Sequence, residues 1–504
     1  MMVTSILDLF EGTVSNYPSK IAFQDVKKAA TFEELQQEAK AIGGAICKLS
    51  QPKRPIAVYM EKGVSNIAAF LGCVYAGCFY VSIDKDMPDD RVSVILDCLK
   101  PDVIICDSET EQKAQKIASN IFLLGYEEAS TGAVDDKILE NVRAGMKTTD
   151  ILYVLFTSGS TGLPKGVTIS HAAVLDFAEW ICDRYRLDEH TSLCNQAPFY
   201  FDASVPDIYI PLKTGATVFI PPKGYYMFPS KILQFIEKYN INTLIWVPSA
   251  LCTVVNCHAF DVCIPKSIKL VIFCGEVMPC KHLNVWKRYV PEALYVNMYG
   301  PTEATYACMY YEIKGQFSDN DCLPLGKPCE NSEIILITDD NRQAGVGEIG
   351  ELCILGQCLS QGYYNDRERT KEVFVQNPLN PYWTEIMYRT GDLAYTNEDG
   401  DIIFVGRKDF QIKRLGYRIE LGEIETAILS LKEIRNACCL FNKSSSEIIA
   451  VYTGEITERE LSAGLHQVLP QYMLPNRYIC LKAMPLNLNG KIDRIKLYKE
   501  YVEE

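Results

Sequence analysis

The chain has 504 residues, of which 48% are hydrophobic and 23% charged, a composition typical of soluble globular proteins. At roughly 150 residues per domain, this length suggests about three folding units rather than one compact core. The formal net charge of −14 argues against nucleic-acid binding, which needs a concentrated basic surface. A local basic patch for an acidic partner remains compatible with this charge.

The cysteines and the first residues indicate a reducing location. Twenty cysteines are scattered without any C-x-x-C spacing, so they do not suggest a metal site. The initial residues (MMVTSILDLFEG) lack the basic end and apolar core of a signal peptide. We therefore expect a cytoplasmic protein with buried, free thiols.

The uncharged stretch 63–83 is long enough to cross a membrane. Its Gly, Ser and Asn residues and its strand-like end instead predict a buried helix followed by a buried strand, so we expect no membrane span. Upstream, residues 31–34 (TFEE) form a capping-box pattern. Apolar residues at spacings of three and four follow it as far as Ile46, which predicts an amphipathic helix that starts at Phe32.

Short apolar runs at 151–156, 243–247, 270–274 and 294–296 predict buried parallel strands separated by helices. Three of them lead directly into loops with the sequences TSGSTG, GEVMP and YGPTEA. Ligands of open α/β sheets bind at the carboxyl ends of the strands. These loops therefore predict one large site.

The pattern changes after about residue 330. Alternating segments at 348–355 and 401–405 predict an antiparallel or mixed sheet, with turns at 390–392 (TGD) and 398–400 (EDG). A further block of strand and helix patterns follows residues 406–409 (GRKD). We therefore predict a domain boundary near Asp409.

Residues 156–167 (FTSGSTGLPKGV) are the strongest local signal. Hydroxyls and backbone N–H groups of such a loop can surround phosphate oxygens. The string does not match the Walker A pattern, which excludes a P-loop kinase. By chemistry alone, a solvated Ser/Gly loop is an equal alternative.

The string resembles the phosphate loop of the adenylate-forming superfamily, which includes acyl-CoA synthetases, firefly-luciferase-type enzymes and adenylation domains of peptide synthetases. Further motifs follow in the family's order: 76–84 (AGCFYVSID), 195–202 (NQAPFYFD), 299–303 (YGPTE), 350–352 (GEL), 388–392 (YRTGD), 406–409 (GRKD) and 489–493 (NGKID). The resemblance thus covers nearly the whole chain. Ser82 departs from it, since the family usually has Pro there.

The resemblance implies an α/β fold with two domains. The expected parts are a large AMP-binding N-terminal domain of mixed sheets with flanking helices, 1–408, and a small mobile α+β C-terminal lid domain, 409–504. Asp409 matches the hinge of the family. After rotation of the lid, the segment 413–416 is expected to line a pantetheine tunnel.

The resemblance also implies ATP and Mg²⁺ as cofactors. Tyr299 is expected to stack on adenine, Asp392 to accept hydrogen bonds from the ribose hydroxyls, and Glu303 to hold Mg²⁺ as a hard carboxylate ligand. The residues implied for ATP binding are Thr157, Ser158, Gly159, Ser160, Thr161, Gly162, Lys165, Glu276, Tyr299, Gly300, Thr302, Asp392, Arg407 and Lys491.

Three residues are the implied catalytic set: Lys491, Glu303 and Arg407. Lys491 is expected to place a cation between the substrate carboxylate and the α-phosphate, an effect on the order of 3–4 kcal/mol. Four cations near the hinge form a basic cluster, interpreted either as a solvated face or as a docking patch for an acidic carrier protein. They are Lys408, Lys413, Arg414 and Arg418.

Asp202 bears on the substrate. In amino-acid-activating members an Asp at this position pairs with the α-ammonium group, whereas a structural helix cap is the alternative interpretation. The positions matching the family's side-chain pocket carry no charge: Ala203, Pro206, Trp246, Ile272, Cys274, Met298, Tyr306 and Ala307. Because Trp246, Met298 and Tyr306 are bulky, we infer a small apolar pocket for alanine, glycine or another small amino acid.

Among amino-acid activators, the chain most resembles stand-alone D-alanine–carrier-protein ligases of teichoic-acid D-alanylation. The matching strings are 180–182 (WIC), 195–199 (NQAPF), 273–279 (FCGEVMP), 409–413 (DFQIK) and 416–418 (GYR). Ala203 and Pro206 depart from it, since those ligases usually have Leu and Met there. The resemblance implies a small amino acid, D-alanine first, and a phosphopantetheinylated carrier protein as partners.

Three alternatives stay open at this point. The nearest is a stand-alone peptide-synthetase adenylation enzyme for another amino acid. The second is an acid–CoA ligase, against which Asp202 argues. The third is a binding protein that kept the fold without the activity.

Overall fold

The computed structural model describes residues 4–118, 120–159, 163–485 and 492–503. The chain separates into two compact units. The first unit contains Met1–Lys85, Leu99–Leu155 and Gly166–Lys408, and the second contains Asp86–Cys98, Phe156–Lys165 and Asp409–Glu504. The division into an AMP-binding domain and a lid domain at residue 409 stays a prediction.

The described residues form sixteen α-helices. In chain order they are α1 (Ile6–Asn16), α2 (Phe32–Cys47), α3 (Val64–Tyr75), α4 (Asp89–Leu99), α5 (Glu111–Ile117), α6 (Tyr126–Ala129), α7 (Asp136–Ala144), α8 (His171–Tyr185), α9 (Val205–Thr214), α10 (Pro229–Lys238), α11 (Pro248–Asn256), α12 (Cys280–Tyr289), α13 (Arg367–Val373), α14 (Leu421–Leu429), α15 (Glu458–Val468) and α16 (Arg494–Tyr501).

The strands of the described residues vary from two to eleven residues in length. In chain order they are β1 (Ile21–Gln24), β2 (Ala29–Thr31), β3 (Pro55–Met60), β4 (Phe79–Asp84), β5 (Val103–Cys106), β6 (Phe122–Gly125), β7 (Ile151–Thr157), β8 (Lys165–Ser170), β9 (Ser192–Cys194), β10 (Thr217–Phe219), β11 (Thr243–Trp246), β12 (Leu270–Cys274), β13 (Leu294–Tyr299), β14 (Met309–Glu312), β15 (Lys327–Pro328), β16 (Ser332–Ile337), β17 (Gly350–Gly356), β18 (Phe374–Gln376), β19 (Ile386–Thr396), β20 (Ile402–Arg407), β21 (Gln411–Arg414), β22 (Tyr417–Glu420), β23 (Ile434–Asn442), β24 (Glu447–Gly454) and β25 (Arg477–Cys480).

The predicted class, α/β with mixed sheets and flanking helices, is confirmed. The largest sheet has nine strands in the order β15-β14-β13-β12-β11-β9-β10-β1-β2, and a six-stranded sheet has the order β6-β5-β3-β4-β7-β8. β16 to β20 form a five-stranded antiparallel sheet, and the second unit holds a hairpin of β21 and β22 and a sheet of β23 to β25.

The four buried strands predicted from apolar runs all form. β11, β12 and β13 pair in parallel, and β7 pairs in parallel with β4. Their carboxyl ends lead into the loops that carry the predicted site residues, as expected for parallel sheets. The predicted helix at residues 31–46 is α2, and Thr31 and Glu34 form its capping box.

The uncharged stretch 63–83 forms α3 and β4, as predicted, and α3 is buried along nearly its entire length. Across the part of the chain that the structure describes, no helix combines the length and apolarity that a membrane crossing requires.

The turn predicted at 390–392 is wrong. Residues 386–396 form one long strand, β19, whose pairing with β17 shifts register around these residues. Gly391 has φ +74, the left-handed backbone that such a bulge requires. The turn predicted at 398–400 does form, with Gly400 at φ +80. Both segments have a Gly beside an Asp, so their sequence signal is the same. Only the pairing of β19 with β17 shows that one segment is a bulge and the other a turn.

All twenty cysteines are free, and most are buried or half-buried as predicted. Three of them are exposed: Cys257, Cys322 and Cys480. Burial raises the pKa of several buried thiols, for example Cys182 and Cys194 to about 12. These thiols therefore behave as small apolar side chains rather than nucleophiles.

Candidate active site

Asp202 and Thr302 meet in the first unit although one hundred residues separate them in sequence. Asp202 begins a short 3₁₀ turn before α9, and Thr302 begins another just after β13. The Thr302 Oγ1 donates to Asp202 Oδ2 at 2.5 Å. This bond fixes one oxygen of the carboxylate predicted to bind the substrate ammonium group.

Five of the predicted pocket residues belong to one large apolar cluster of the first unit. Ala203 packs against one apolar cluster that also contains Ile272, Cys274, Met298, Tyr306 and Ala307. The Cys274 thiol donates to the backbone oxygen of Tyr306 at 3.7 Å, which joins the end of β12 to the segment after the YGPTE motif. Pro206 is buried in the first turn of α9, a position that suits proline.

Trp246 does not join this cluster. It pairs in register with Phe273, and both lie in a second apolar cluster on the opposite face of the nine-stranded sheet. Its indole N–H donates to the backbone oxygen of Cys194 at 2.9 Å, and its ring lies 5.7 Å from Tyr226. Because side chains alternate across a strand, the neighbour on the pocket side is Ile245, which pairs with Ile272. Sequence reasoning missed Ile245. The alternation of side chains along β11 predicts its position on the pocket side once Trp246 is assigned to the other face of the sheet.

We expect Ile245→Ala and Trp246→Phe to have different effects. Truncating Ile245 should change the ratio of activities for larger over smaller amino acids by about 10- to 100-fold, since each additional methylene of the substrate side chain is worth about 1–3 kcal/mol. Trp246→Phe should lower the free energy of unfolding by about 1 kcal/mol through the lost hydrogen bond and leave that ratio unchanged. Amino-acid-dependent pyrophosphate exchange and chemical denaturation measure the two effects. A changed ratio in the Trp246 variant alone would contradict the assignment of faces.

Tyr299, Asp392 and Arg407 form a second constellation in the first unit. The Arg407 Nη1 donates to Asp392 Oδ1 at 2.6 Å, and the Tyr299 hydroxyl donates to Asp392 Oδ2. Only 12% and 5% of the Arg407 and Asp392 side-chain surfaces are exposed. Burial, together with Asp392, holds the pKa of Tyr299 well above its ordinary value, so its hydroxyl stays a donor. The structure thus gives Tyr299 a contact to the predicted ribose ligand, which the sequence did not indicate.

Gly300 permits a close backbone approach in this region. A Cβ there would lie 2.5 Å from the Tyr306 backbone oxygen and 2.6 Å from the Ala307 Cα, so no other residue fits. The chain therefore folds back tightly after β13 and brings the pocket residues next to Glu303 and Thr302.

Glu303 is completely buried, and its Oε1 accepts a hydrogen bond from the Tyr363 hydroxyl at 2.8 Å. A buried carboxylate is a ligand type that suits Mg²⁺, which takes most of its remaining ligands from phosphates and water. Among the described residues, no group of three or more His, Cys, Asp or Glu side chains is placed to hold a metal ion. Sequence reasoning missed Tyr363, for which the GYYND string carried no recognised signal.

The described part of the phosphate loop belongs to the second unit. The Ser158 hydroxyl donates to the Arg418 oxygen at 2.7 Å, and the Gly159 N–H donates to Glu423 Oε2 at 3.0 Å. Glu423 is also paired with the buried guanidinium of Arg91 at 2.5 Å. The Thr157 hydroxyl is buried and has no hydrogen-bond partner among the described residues. Buried hydroxyls normally have such a partner, and a phosphate oxygen is a suitable one. Ser160, Thr161, Gly162 and Lys491 lie outside the described residues.

Three further predicted residues occupy defined positions. Lys165 is buried at the start of β8. Glu276 accepts from the Ser249 N–H at 3.0 Å and so caps the first turn of α11. Asp409 accepts from the Gln411 N–H at 3.2 Å at the start of the last segment of the second unit.

The predicted basic cluster near the hinge is not a uniform surface patch. Arg414 donates to the backbone oxygens of Ser446 and Tyr472 at 3.0 and 2.8 Å, and to Asn476 at 2.9 Å. Lys408 pairs with Asp339 at 2.8 Å. Arg414 therefore anchors the β21–β22 hairpin, and a docking test should not include its charge reversal.

A buried acid lies five residues after Asp202. Burial raises the pKa of Asp207 to about 7, against the opposing effects of its hydrogen bond from Asn195 and the charge of Lys62. The Asn195 Nδ2 donates to Asp207 Oδ2 at 2.7 Å, and Asp207 Oδ1 has no partner among the described residues. This link ties α9 to the end of β9 and explains why the NQAPF string carries a buried Asn.

The fold is that of adenylation domains. The Vibrio cholerae adenylation domain AlmE, solved with glycyl-adenosine-5'-phosphate, superposes with a TM-score of 0.85 at 19% identity over 99% of this chain and 98% of that chain. A peptide-synthetase protein with adenylation and carrier domains, bound to a vinylsulfonamide inhibitor, gives 0.84 at 22% identity over 99% of this chain and 84% of that chain.

Residues 10–364 match the family described as AMP-binding enzyme, and the chain belongs to this family. It is 34% identical over 97% of its length to a mycosubtilin synthase of Bacillus subtilis but spans only 19% of that protein. It is 32% identical to zwittermicin A synthase ZmaJ of Bacillus cereus, over 98% of this chain and 94% of that protein. It is 30% identical to a D-alanine–D-alanyl carrier protein ligase of Bacillus licheniformis, over 98% and 99%.

Proposed function

We propose that this chain activates a small amino acid, D-alanine first, as an aminoacyl adenylate and transfers it to the phosphopantetheine thiol of a carrier protein. The observation that carries the proposal is the carboxylate of Asp202, held by Thr302 and next in the chain to Ala203, which packs against the uncharged cluster that contains Cys274 and Tyr306. A carboxylate at this place matches an ammonium group, whereas the cluster matches a short apolar side chain.

In the first half-reaction, Asp202 orients the amino acid through its ammonium group. A carboxylate oxygen of the amino acid then attacks the α-phosphorus of ATP, and the bond from this phosphorus to pyrophosphate breaks. Glu303 would hold Mg²⁺, which neutralises charge on the phosphates. Arg407 and Lys491 supply cations for the negative charge that accumulates.

In the second half-reaction, the carrier thiolate attacks the acyl carbon of the adenylate and AMP leaves. The predicted hinge at Asp409 lets the lid exchange Lys491 for the 413–416 segment between the two steps. Arg414 is used within the second unit, so the predicted docking patch for an acidic carrier is proposed without it.

The relatives support two variants of this proposal. The match to a D-alanine–D-alanyl carrier protein ligase extends over 98% of this chain and 99% of that protein and favours D-alanine. The higher identity to mycosubtilin synthase and to ZmaJ favours, as a second candidate, activation of another amino acid for peptide synthesis. An acid–CoA ligase is disfavoured by Asp202.

Pyrophosphate exchange with ATP, Mg²⁺ and single amino acids tests the proposal. We expect exchange with D-alanine, L-alanine, glycine or serine to exceed that with phenylalanine by at least about 10-fold, the discrimination that a few methylenes allow. The variant Asp202→Asn should lose about 100-fold in kcat/KM with every amino acid, since a hydrogen bond to a charged group is worth up to about 3 kcal/mol.

The outcomes separate the candidates. Thioester formation on a phosphopantetheinylated carrier supports carrier loading, and thioester formation on free coenzyme A with an acid lacking an amino group supports the CoA ligase. Preference for a large aromatic amino acid would refute the pocket interpretation. Absence of exchange with all amino acids would refute the activity itself.

A further inference from the structure

A short strap of residues 360–364 attaches to Glu303 twice. The Ser360 N–H donates to the backbone oxygen of Glu303 at 2.8 Å. The Tyr363 hydroxyl donates to Glu303 Oε1, also at 2.8 Å. The strap therefore fixes both the backbone and the side chain of the residue predicted to bind Mg²⁺.

The opposite side of the strap is bound to β8, the strand that follows the phosphate-loop sequence. The Thr168 N–H and Oγ1 both donate to the Gly362 oxygen, at 3.1 and 2.9 Å. The Tyr364 N–H donates to the Gly166 oxygen at 2.7 Å, and Val167 forms a β-bridge with Tyr363. Glu303 is thus connected to β8 through main-chain hydrogen bonds and one tyrosine.

Tyr363 has little freedom within the strap. Its N–H donates to Thr370 Oγ1 at 2.9 Å, and its ring packs edge-on against Phe374 at 6.0 Å. Only 6% of Tyr363 is exposed, and Glu303 is fully buried. A hydroxyl on an immobile ring sets the rotation of the carboxylate that accepts from it, as outer-shell partners do for metal ligands.

We propose that Tyr363 is a positioning residue for the metal that accompanies ATP. Its hydroxyl holds one oxygen of Glu303 and so fixes the carboxylate in the orientation that binds Mg²⁺. Tyr363 supplies no atom to the metal. The inference rests on the proposed function in that Glu303 must serve as the metal ligand.

The test compares Tyr363→Phe with the wild-type protein. Removing only the hydroxyl should raise the dissociation constant for Mn²⁺ about 10-fold, the usual lower limit for an outer-shell partner. Electron paramagnetic resonance measures this constant in the presence of a non-hydrolysable ATP analogue. The Mg²⁺ concentration at half-maximal pyrophosphate exchange should rise equally, while kcat at saturating Mg²⁺ stays within about twofold. Thermal unfolding is recorded in parallel to show that each variant is folded.

Tyr364→Phe is the matched control, because it removes a hydroxyl from the adjacent residue, whose ring packs against Phe79 instead. Thr370→Val is a second variant, which keeps the side-chain shape and removes the acceptor of the Tyr363 N–H. Thr370→Val should also raise the dissociation constant for Mn²⁺, by a smaller factor. If Tyr363→Phe does not fold, this variant still tests the proposal.

Unchanged Mn²⁺ binding in a folded Tyr363→Phe protein, or in Thr370→Val if the former does not fold, would overturn the proposal. Equal shifts in the Tyr363 and Tyr364 variants would also overturn it, since they would indicate general loosening. Failure of the proposed function appears separately, as a wild-type protein that binds Mn²⁺ with the ATP analogue but exchanges no pyrophosphate.

Discussion

Lys491→Ala is expected to lower amino-acid-dependent pyrophosphate exchange by about 10²- to 10³-fold. The reason is the loss of one fixed cation from a transition state in which a carboxylate meets a phosphate, an effect of about 3–4 kcal/mol. The same variant should transfer the acyl group from supplied aminoacyl adenylate to a carrier at a nearly normal rate, because that step has no triphosphate charge to stabilise.

The residues that follow Lys491 allow a sharp control. Asp493 caps α16 by accepting from the Lys496 N–H at 3.0 Å, and the Arg494 Nη2 donates to both carboxylate oxygens of Glu425, at 2.5 and 2.6 Å. These contacts anchor the end of the NGKID motif in the second unit. Lys496 itself is exposed, so Lys496→Ala removes a cation five residues away without affecting the anchor. Pyrophosphate exchange at the wild-type level in Lys491→Ala would show that Lys491 takes no part in adenylate formation.

The elements that the sequence predicted best are those set by local pattern. The capping box of Thr31 and Glu34 and the apolar runs of β11, β12 and β13 specify their own conformation, because each is encoded within a few residues. The GEVMP and YGPTEA loops follow the paired strands β12 and β13, whereas the prediction that they form one site with the TSGSTG loop stays a prediction.

The features that the sequence could not predict depend on pairing between distant segments. Which face Trp246 occupies is decided by its register with Phe273, and the bulge at Gly391 by pairing with β17. The same holds for Arg414, whose guanidinium is taken up by the segment 472–476, and for Tyr363, whose partner Glu303 is sixty residues away. Single-sequence patterns carry no information on such partners.

The bulge in β19 determines where the Asp392 side chain points. Thr390 Oγ1 donates to the Leu352 oxygen at 2.7 Å and accepts from the Asp392 N–H at 2.9 Å, so the bulge is held at both ends. It directs the Asp392 carboxylate toward Arg407 and Tyr299. Bulges commonly redirect a side chain next to a functional site. The TGD motif thus codes for backbone geometry as well as for the carboxylate.

Asp392→Asn is expected to reduce both stability and nucleotide binding. In the variant, an NH₂ group, which is a hydrogen-bond donor, replaces one of the two acceptor oxygens. In this buried environment it faces either the Arg407 cation or the Tyr299 hydroxyl, which are donors themselves. Removing one partner of a buried ion pair costs about 3–5 kcal/mol, which denaturant unfolding measures directly. The KM for ATP should rise about 10- to 100-fold, because hydrogen bonds from the ribose to a charged acceptor are worth about 1.5–3 kcal/mol.

Two variants separate these effects from unspecific damage. Asp399→Asn makes the same chemical change in the exposed turn before β20. There we expect the free energy of unfolding to fall by less than about 0.5 kcal/mol and the KM for ATP to stay unchanged. Combining Asp392→Asn with Arg407→Met should cost less stability than the sum of the single variants, because the second change removes the charge that the first left unpaired. Additive losses would show that Asp392 and Arg407 act independently, and an unchanged KM for ATP in Asp392→Asn would exclude Asp392 as the ribose ligand.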